Sequence, residues 1–388
     1  MSLSSTYFSL LLLPFITLSL LAPAASTTVG ATLYHRPISN VSPDQLAAVL
    51  RLHKLTTVHL LEPDPNIIRT FTYSPISLLL TVPNSLIPSF ASNQSNAAAW
   101  LYTHVIPFYP RANITAISVG SDVTSSRQDV TDSLLPAIRN LHLSLRQLGI
   151  RRISVSTTFS LITALTTVFP PSAAEFQEPL YDVVILPLLN FLEESNSFFL
   201  INLYPYTTYS DIAHEIPLGF ALFQESPFNY RDDPTTGVRY RNLFDVMVDA
   251  VLAAIAVAGH ENIPIIVAET GWPSSPGPNA SIGEDSDANP MFAELYLSGL
   301  VKHLKSGQGT PLKKDGVYEV YAFELFDPEV NVSQESYAQT ERQWGIFYPN
   351  LTAKYNIDFS DGNKLIRPTR SRVFLWLLIA VFLMLGSF

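Results

Sequence analysis

The sequence predicts an α/β fold, a single-domain (β/α)8 TIM barrel. Three observations predict it: eight apolar, β-rich runs, helical patterns between most of them, and enough apolar residues to cover a parallel sheet on both faces. Of the 388 residues, 47% are hydrophobic and 14% charged. In chain order the runs are Thr28 to Tyr34, Val58 to Leu61, Ile76 to Val82, Ile114 to Val119, Ile153 to Thr158, Phe198 to Tyr204, Ile263 to Ala268 and Val317 to Phe326. Helical periodicity is clearest at Pro43 to Leu55, Ser85 to Val105, Ser133 to Leu148, Tyr181 to Glu194, Asn242 to Ala258 and Pro290 to Lys305. Strand alternating with helix eight times favours a closed parallel barrel over an open doubly wound sheet, and single barrels commonly reach this length.

The two ends read differently from the middle. Met1 to Ser26 holds an apolar stretch from Phe8 to Leu21, then Ala22-Pro23-Ala24-Ala25-Ser26, small residues suited to signal peptidase, although Lys and Arg are missing before the apolar stretch. An anchor that stays in the membrane would need a longer run. At the other end, Val373 to Phe388 is almost wholly apolar and follows a basic spacer with Lys364, Arg367, Arg370 and Arg372, itself preceded by Ser360-Asp361-Gly362. Small residues, a polar spacer and a short apolar tail form the pattern of a GPI attachment signal, with a retained spanning tail as the alternative. The expected organisation is therefore a signal peptide over 1–26, the barrel over 27–360 and a removed GPI signal over 361–388.

The formal charge of −10 would become −13 on loss of those four cations together with Asp361. An acidic, secreted chain is a poor partner for nucleic acid. No G-x-G-x-x-G follows a strand and no G-x-x-x-x-G-K-[ST] occurs, so nucleotide binding has no support. The chain has no cysteine, which excludes disulfides, zinc thiolates and a thiol nucleophile. Its eight histidines are scattered without H-E-x-x-H spacing, so neither a metal site nor a cofactor is expected. Sequons at Asn40, Asn93, Asn113, Asn279, Asn331 and Asn350 fit a secreted glycoprotein.

The chemistry concentrates at Ile265-Ile266-Val267-Ala268-Glu269-Thr270-Gly271-Trp272-Pro273-Ser274. Four apolar residues suit a strand buried on both faces; Gly271 and Pro273 end it, leaving Glu269 at the strand's C-terminal end, where a (β/α)8 barrel carries its active site. Trp272 is expected to be an exposed indole, a platform for a sugar ring beside that carboxylate. The alternative is a Glu that only caps a helix or pairs with an Arg. The polar loops Ser274 to Asn289 and Asp327 to Gln339 follow strands and belong to the same rim.

This segment, together with Val82-Pro83-Asn84, Ala116 to Gly120, Ser154-Val155-Ser156-Thr157, Phe169-Pro170-Pro171-Ser172, Asn202-Leu203-Tyr204-Pro205-Tyr206, Asn242 to Asp245 with Asp249-Ala250-Val251, and Gln343-Trp344-Gly345-Ile346-Phe347, resembles the plant family-17 glycoside hydrolases, the β-1,3-glucanases, over residues 29 to 350. The resemblance implies Glu269 as nucleophile. Glycoside hydrolysis needs a second carboxyl group. Where the family's fourth strand ends Gly-Asn-Glu-Val, with Glu as acid/base and Asn holding the sugar 2-hydroxyl, this chain has Gly120-Ser121-Asp122-Val123. Asp122 is the candidate acid/base, shorter by roughly 1.5 Å of reach, or else a loop carboxylate that caps the next helix. Ser121 can still bond a hydroxyl.

Other family positions are altered too: Leu33 near the end of strand one, His59-Leu60-Leu61 on strand two, and Pro328 and Asn331 after strand eight, with Glu329 a possible substitute for a lost acid and Glu341 matching a family acid. Tyr204 is a candidate to hydrogen-bond and orient Glu269, or a rim aromatic packed in the core. Phe323, Tyr206, Trp272 and Trp344 could line a glucan cleft or serve packing. The resemblance thus implies a monomeric, secreted, GPI-anchored hydrolase of the plasma-membrane outer face and cell wall, cutting callose-like β-1,3-glucan. Its rival is a catalytically impaired glucan-binding wall protein on the same barrel, or an enzyme for another sugar.

Overall fold

Eight parallel strands close into a barrel in the computed structural model: β1 (Thr28–Leu33), β2 (Thr57–Leu60), β3 (Ser77–Val82), β4 (Asn113–Ser121), β5 (Ser154–Ser160), β6 (Phe199–Asn202), β9 (Ile265–Thr270) and β10 (Glu319–Ala322). β7 (Arg231–Asp232) and β8 (Arg239–Tyr240) form a separate antiparallel pair in the long connection after β6. Around the barrel the order is β1-β10-β9-β6-β5-β4-β3-β2, every pair parallel. The structure describes residues 27–34, 41–123, 130–211, 215–277, 285–328 and 342–360. All of these belong to the compact unit Thr27–Asp361. The expected signal peptide and GPI signal lie outside the described residues.

Each of the eight expected runs overlaps one barrel strand, with β2, β4, β5 and β9 reaching beyond the expected bounds by one or two residues. Their side chains sort by alternation into two layers. Leu79, Ala116, Leu200, Ile266, Ala268 and Tyr321 fill the barrel interior with buried Thr32, Thr57, His59 and Thr81. The larger layer packs the opposite strand faces against the surrounding helices.

Two helices differ from the pattern expected of them. The run Ser85 to Val105 divides into a 3-10 turn, Asn84–Leu86, and helices Ile87–Ser92 and Gln94–His104. The break is Asn93, extended at φ −153°, whose side chain accepts a hydrogen bond from Ser95 N–H and caps the second helix. Tyr181–Ile185 forms a π-type turn that leads into the helix Leu186–Ser195. Pro187 lacks the N–H that a regular α-turn there would use. The helices Leu243–Val257 and Pro290–Ser306 agree closely with expectation, each capped at its start by an asparagine, Asn242 and Asn289. Among the described residues, no helix is long and apolar enough to cross a membrane.

Candidate active site

Because all barrel strands run parallel, β4, β6, β9 and β10 end on one rim. Glu269 is the penultimate residue of β9 and is 6% exposed. Beside it the chain leaving β6 is held by Leu203 N–H donating to Glu269 O at 3.0 Å. That attachment brings Tyr204 into reach, and its hydroxyl donates to Glu269 Oε2. Asp122 follows β4 directly, in the left-handed region at φ 49°, which Asp tolerates better than most residues. Its N–H donates to Thr158 O at 3.0 Å.

Asn202, the last residue of β6, pairs in register with Glu269 and points its amide at the other carboxyl. Nδ2 donates to Asp122 Oδ1 at 3.3 Å and lies 3.5 Å from Ser121 Oγ. Ser121 is bracketed by Asn84, which accepts from its N–H and donates to its carbonyl, both at 2.9 Å. Those bonds fix the backbone of Ser121 and leave its hydroxyl facing the cleft, which Ser121 helps to line.

Burial pushes the Glu269 carboxyl up to about 8, reinforced by the charges of Asp122 and Glu324 and opposed by hydrogen bonds from Tyr204 and Asn202. Burial also raises Asp122, to about 6, against the hydrogen bond from Asn202. Burial first, then the adjacent Glu269, raises Tyr204 well above the ordinary phenol range, so it remains a donor. The charge of Asp122 adds to burial in raising Glu269, so the last proton is held the more strongly on the Glu269 side.

The cleft at this rim encloses about 820 Å³ and takes Asp122, Glu269 and Phe323 into its wall, extending to Glu62, Trp100 and His104. Phe323, Trp344 and Tyr204 form a mutual aromatic group, with ring centroids 5.3 to 6.0 Å apart. Tyr34, 43% exposed, continues this surface 6.3 Å from Phe323.

Trp272 does not belong to it. The expected exposed platform is 1% exposed, and its Nε1–H donates to Asp287 O at 2.8 Å. A bulge in β9 explains the correction: Ile266 and Ala268 face the barrel interior, and the extra residue between Val267 and Thr270 reverses the alternation beyond it. Thr270 faces away from the barrel axis, bonded to Tyr296 of the helix Pro290–Ser306 at 2.7 Å, and Trp272, two residues on, packs beside the same Tyr296. Glu269 has the opposite parity and faces the cleft. Tyr206 is likewise a packing residue, 1% exposed, with its hydroxyl on Asp285 Oδ1 at 2.9 Å. Glu341, Glu329 and Asn331 lie outside the described residues.

Sequence reasoning assigned no role to Asn202, Asn84 or Glu324. Asn202 was findable, because it precedes Tyr204 by two in the same strand run and alternation puts both on one face. Asn84 stands in a recognised stretch, but only the fold brings it to Ser121. Glu324 sits inside an apolar run and carries no local signal, yet it is a buried acid beside Glu269, 1% exposed.

Residues 32–359 match Glycosyl hydrolases family 17. Among curated relatives, glucan endo-1,3-beta-glucosidase 12 of Arabidopsis thaliana is 35% identical over 87% of this chain and 61% of its own length. Glucan endo-1,3-beta-glucosidase 14 of the same plant is 33% identical over 91% of this chain and 87% of its own. The chain thus spans 61% of the first of these relatives. Among solved structures, a beta-1,3-glucanase and allergen of Cryptomeria japonica pollen superposes with a TM-score of 0.76 at 30% identity, covering 86% of this chain and 99% of that one.

Proposed function

Since the chain belongs to family 17 of the glycosyl hydrolases, we propose that it hydrolyses internal β-1,3-glucosidic bonds of a callose-like cell-wall glucan by a retaining double displacement, with Glu269 as nucleophile and Asp122 as acid/base. The observation that carries this reading is the pair itself: buried Glu269 and half-buried Asp122 on one barrel rim, with Asn202 hydrogen-bonded to Asp122 and Tyr204 on the nucleophile. The similarity to a glucan endo-1,3-beta-glucosidase and to a beta-1,3-glucanase supports the linkage.

In the first step Asp122 gives its proton to the leaving glucosyl oxygen while Glu269 attacks the anomeric carbon. In the second, Asp122 takes a proton from water, which displaces Glu269 from the sugar. Of the two carboxyls Glu269 holds its proton the more strongly, having the higher value. Positive charge developing at the anomeric carbon stabilises ionised Glu269 as the bond breaks, which moves the proton to the Asp122 side. Tyr204 orients the nucleophile, Ser121 bonds a sugar hydroxyl, and Phe323 with Trp344 offers apolar faces to successive rings. Glu341 retains its substrate-binding assignment on sequence grounds alone.

A second reading, a glucan-binding wall protein with little turnover, is favoured by one observation: the acid/base is the shorter Asp, in a left-handed conformation and bound to Asn202. Reducing-sugar release from a linear β-1,3-glucan, compared with Glu269→Gln, separates the two. Turnover abolished by the substitution establishes the hydrolase; retained glucan binding without turnover establishes the binding protein.

The sequence features of the two ends support a secreted protein carried by a GPI anchor on the outer face of the plasma membrane, in contact with the wall. Release from membranes by a phosphatidylinositol-specific phospholipase is the expected outcome. Retention after complete digestion would indicate a spanning tail.

A further inference from the structure

His59 is one of the positions at which the sequence departs from its family, and the two-step scheme gives it no part. It stands on β2 inside the barrel, fully buried between Thr32 of β1 and Thr81 of β3. What it meets is the backbone of β9, one residue before the nucleophile. His59 Nδ1 lies 3.2 Å from Ala268 O, and Thr32 Oγ1 donates to the same oxygen at 3.2 Å. Nε2 of the ring lies 2.7 Å from Thr81 Oγ1. A carbonyl only accepts, so the hydrogen sits on Nδ1 and Nε2 accepts from the threonine.

Ala268 is the extra residue of the β9 bulge. Against β6 the register passes from Val267 to Glu269, and against β10 from Val267 to Thr270. The two carbonyls that follow return to the ladder, Glu269 O accepting from Leu203 N–H at 3.0 Å and Thr270 O from Phe323 N–H at 2.7 Å. Ala268 O reaches inward, to side chains on β1 and β2, strands that do not adjoin β9. A carbonyl turned into a packed interior needs side-chain donors there, because a buried carbonyl left unpaired is costly. The same bulge sets the aim of the acid. Ala268 and Glu269 are successive residues on one face, Ala268 in the barrel interior and Glu269 in the cleft above it.

We infer that His59, seconded by Thr32, is a positioning residue for the nucleophile: its Nδ1–H holds the carbonyl of the bulge that turns Glu269 into the cleft. The inference rests on the reading of Glu269 as nucleophile. Without the donor, the Ala268–Glu269 peptide is free to rotate back toward the ladder, and the carboxyl moves with it.

The test removes the donor and keeps a ring. In His59→Phe, kcat on a linear β-1,3-glucan should fall about tenfold to a hundredfold, the scale of a misplacement near 1 Å. KM should stay unchanged, because the proposed sugar contacts at Ser121, Phe323 and Trp344 lie on other segments. His59→Asn, whose amide N–H reaches the place of Nδ1–H, should recover most of the loss, which a general loss of packing would not allow. Wild-type kcat in folded His59→Phe, or a folded His59→Asn no faster than His59→Phe, would overturn the inference. Should the variants not fold, ¹⁵N NMR of the wild-type histidines decides, with the His59 ring assigned from its own backbone. Hydrogen on Nδ1 upholds the bond to Ala268 O, and its absence there overturns it. Lack of glucan turnover in the wild type would instead sink the hydrolase reading, and the nitrogen spectrum would still report whether His59 holds the bulge.

Discussion

As the proposed acid/base, Asp122 has two shortcomings: its side chain is one methylene short, and it is the weaker proton holder of the pair. Lengthening it and restoring the neighbouring amide, by Asp122→Glu with Ser121→Asn, should raise kcat on a linear β-1,3-glucan by about tenfold to a hundredfold, the scale on which a misplacement near 1 Å is felt. Steady-state kinetics of the double variant check this, and an unchanged kcat would locate the deficit elsewhere on the rim. The same pair sets the pH profile. Below about 6 both carboxyls are protonated and no nucleophile remains; above about 8 both are ionised and no acid remains. A kcat/KM profile should therefore be bell-shaped, with limbs near those values. Glu269 and Asp122 could be read in the sequence because each stands where an apolar strand run stops. The burial of Trp272 could not, since it depends on which side of β9 the helix Pro290–Ser306 covers.

At the level of strands, the ladder is irregular where it delivers chemistry. Register shifts occur between Ser118 and Ser121 on β4 and between Val267 and Thr270 on β9, where an extra residue is skipped in pairing with both β6 and β10, and one more lies near the start of β4, between Ile114 and Ala116. The first two lie at the end that carries a site residue, and such bulges re-aim the side chains that follow. Alternation read from sequence locates a strand but not a bulge within it, which is why the eight strands were legible and the reversal that turns Glu269 to the cleft and Trp272 toward the helices was not. Gly120 belongs to the irregular stretch of β4. It has φ +82°, and a Cβ there would stand 2.5 Å from Val123 Cγ2 and 2.8 Å from Asn84 Oδ1. Gly120→Ala should therefore cost about 1–3 kcal/mol of stability through backbone strain and displace the Asn84 bracket on Ser121. Thermal unfolding, with glucan turnover measured on the folded fraction, is the check. A loss of turnover larger than the loss of folded protein would show that the bracket positions the site.

Over the whole molecule, buried titratable groups of opposite sign set how stability follows pH. Glu269, raised to about 8, and Asp122 and Asp249, each raised to about 6, bind protons in the folded state at pH values where the unfolded chain has released them. Their contribution is present at low pH and is lost as pH rises through those values. His59, in the barrel interior, acts the other way. Its Nδ1–H donates to Ala268 O at 3.2 Å, because a carbonyl only accepts, and its Nε2 therefore accepts from Thr81 Oγ1 at 2.7 Å. Burial lowers this imidazole to about 4, so its contribution is present above the ordinary histidine range and is lost between about 6.5 and 4. Asp233, held near 2 by hydrogen bonds from Ser172, Thr235 and Thr236, adds a further loss in acid. The opposed terms place the stability maximum near pH 4, with a decline that above about pH 6 is driven by Glu269, the group with the largest raised value among the three. Glu269→Gln removes that term. The melting temperature of the wild type should fall between pH 6 and pH 8 while that of Glu269→Gln stays nearly level, and thermal melts of both proteins across this range are the measurement. Parallel declines would mean that Glu269 ionises without cost, and the burial that defines the site would then not govern its proton.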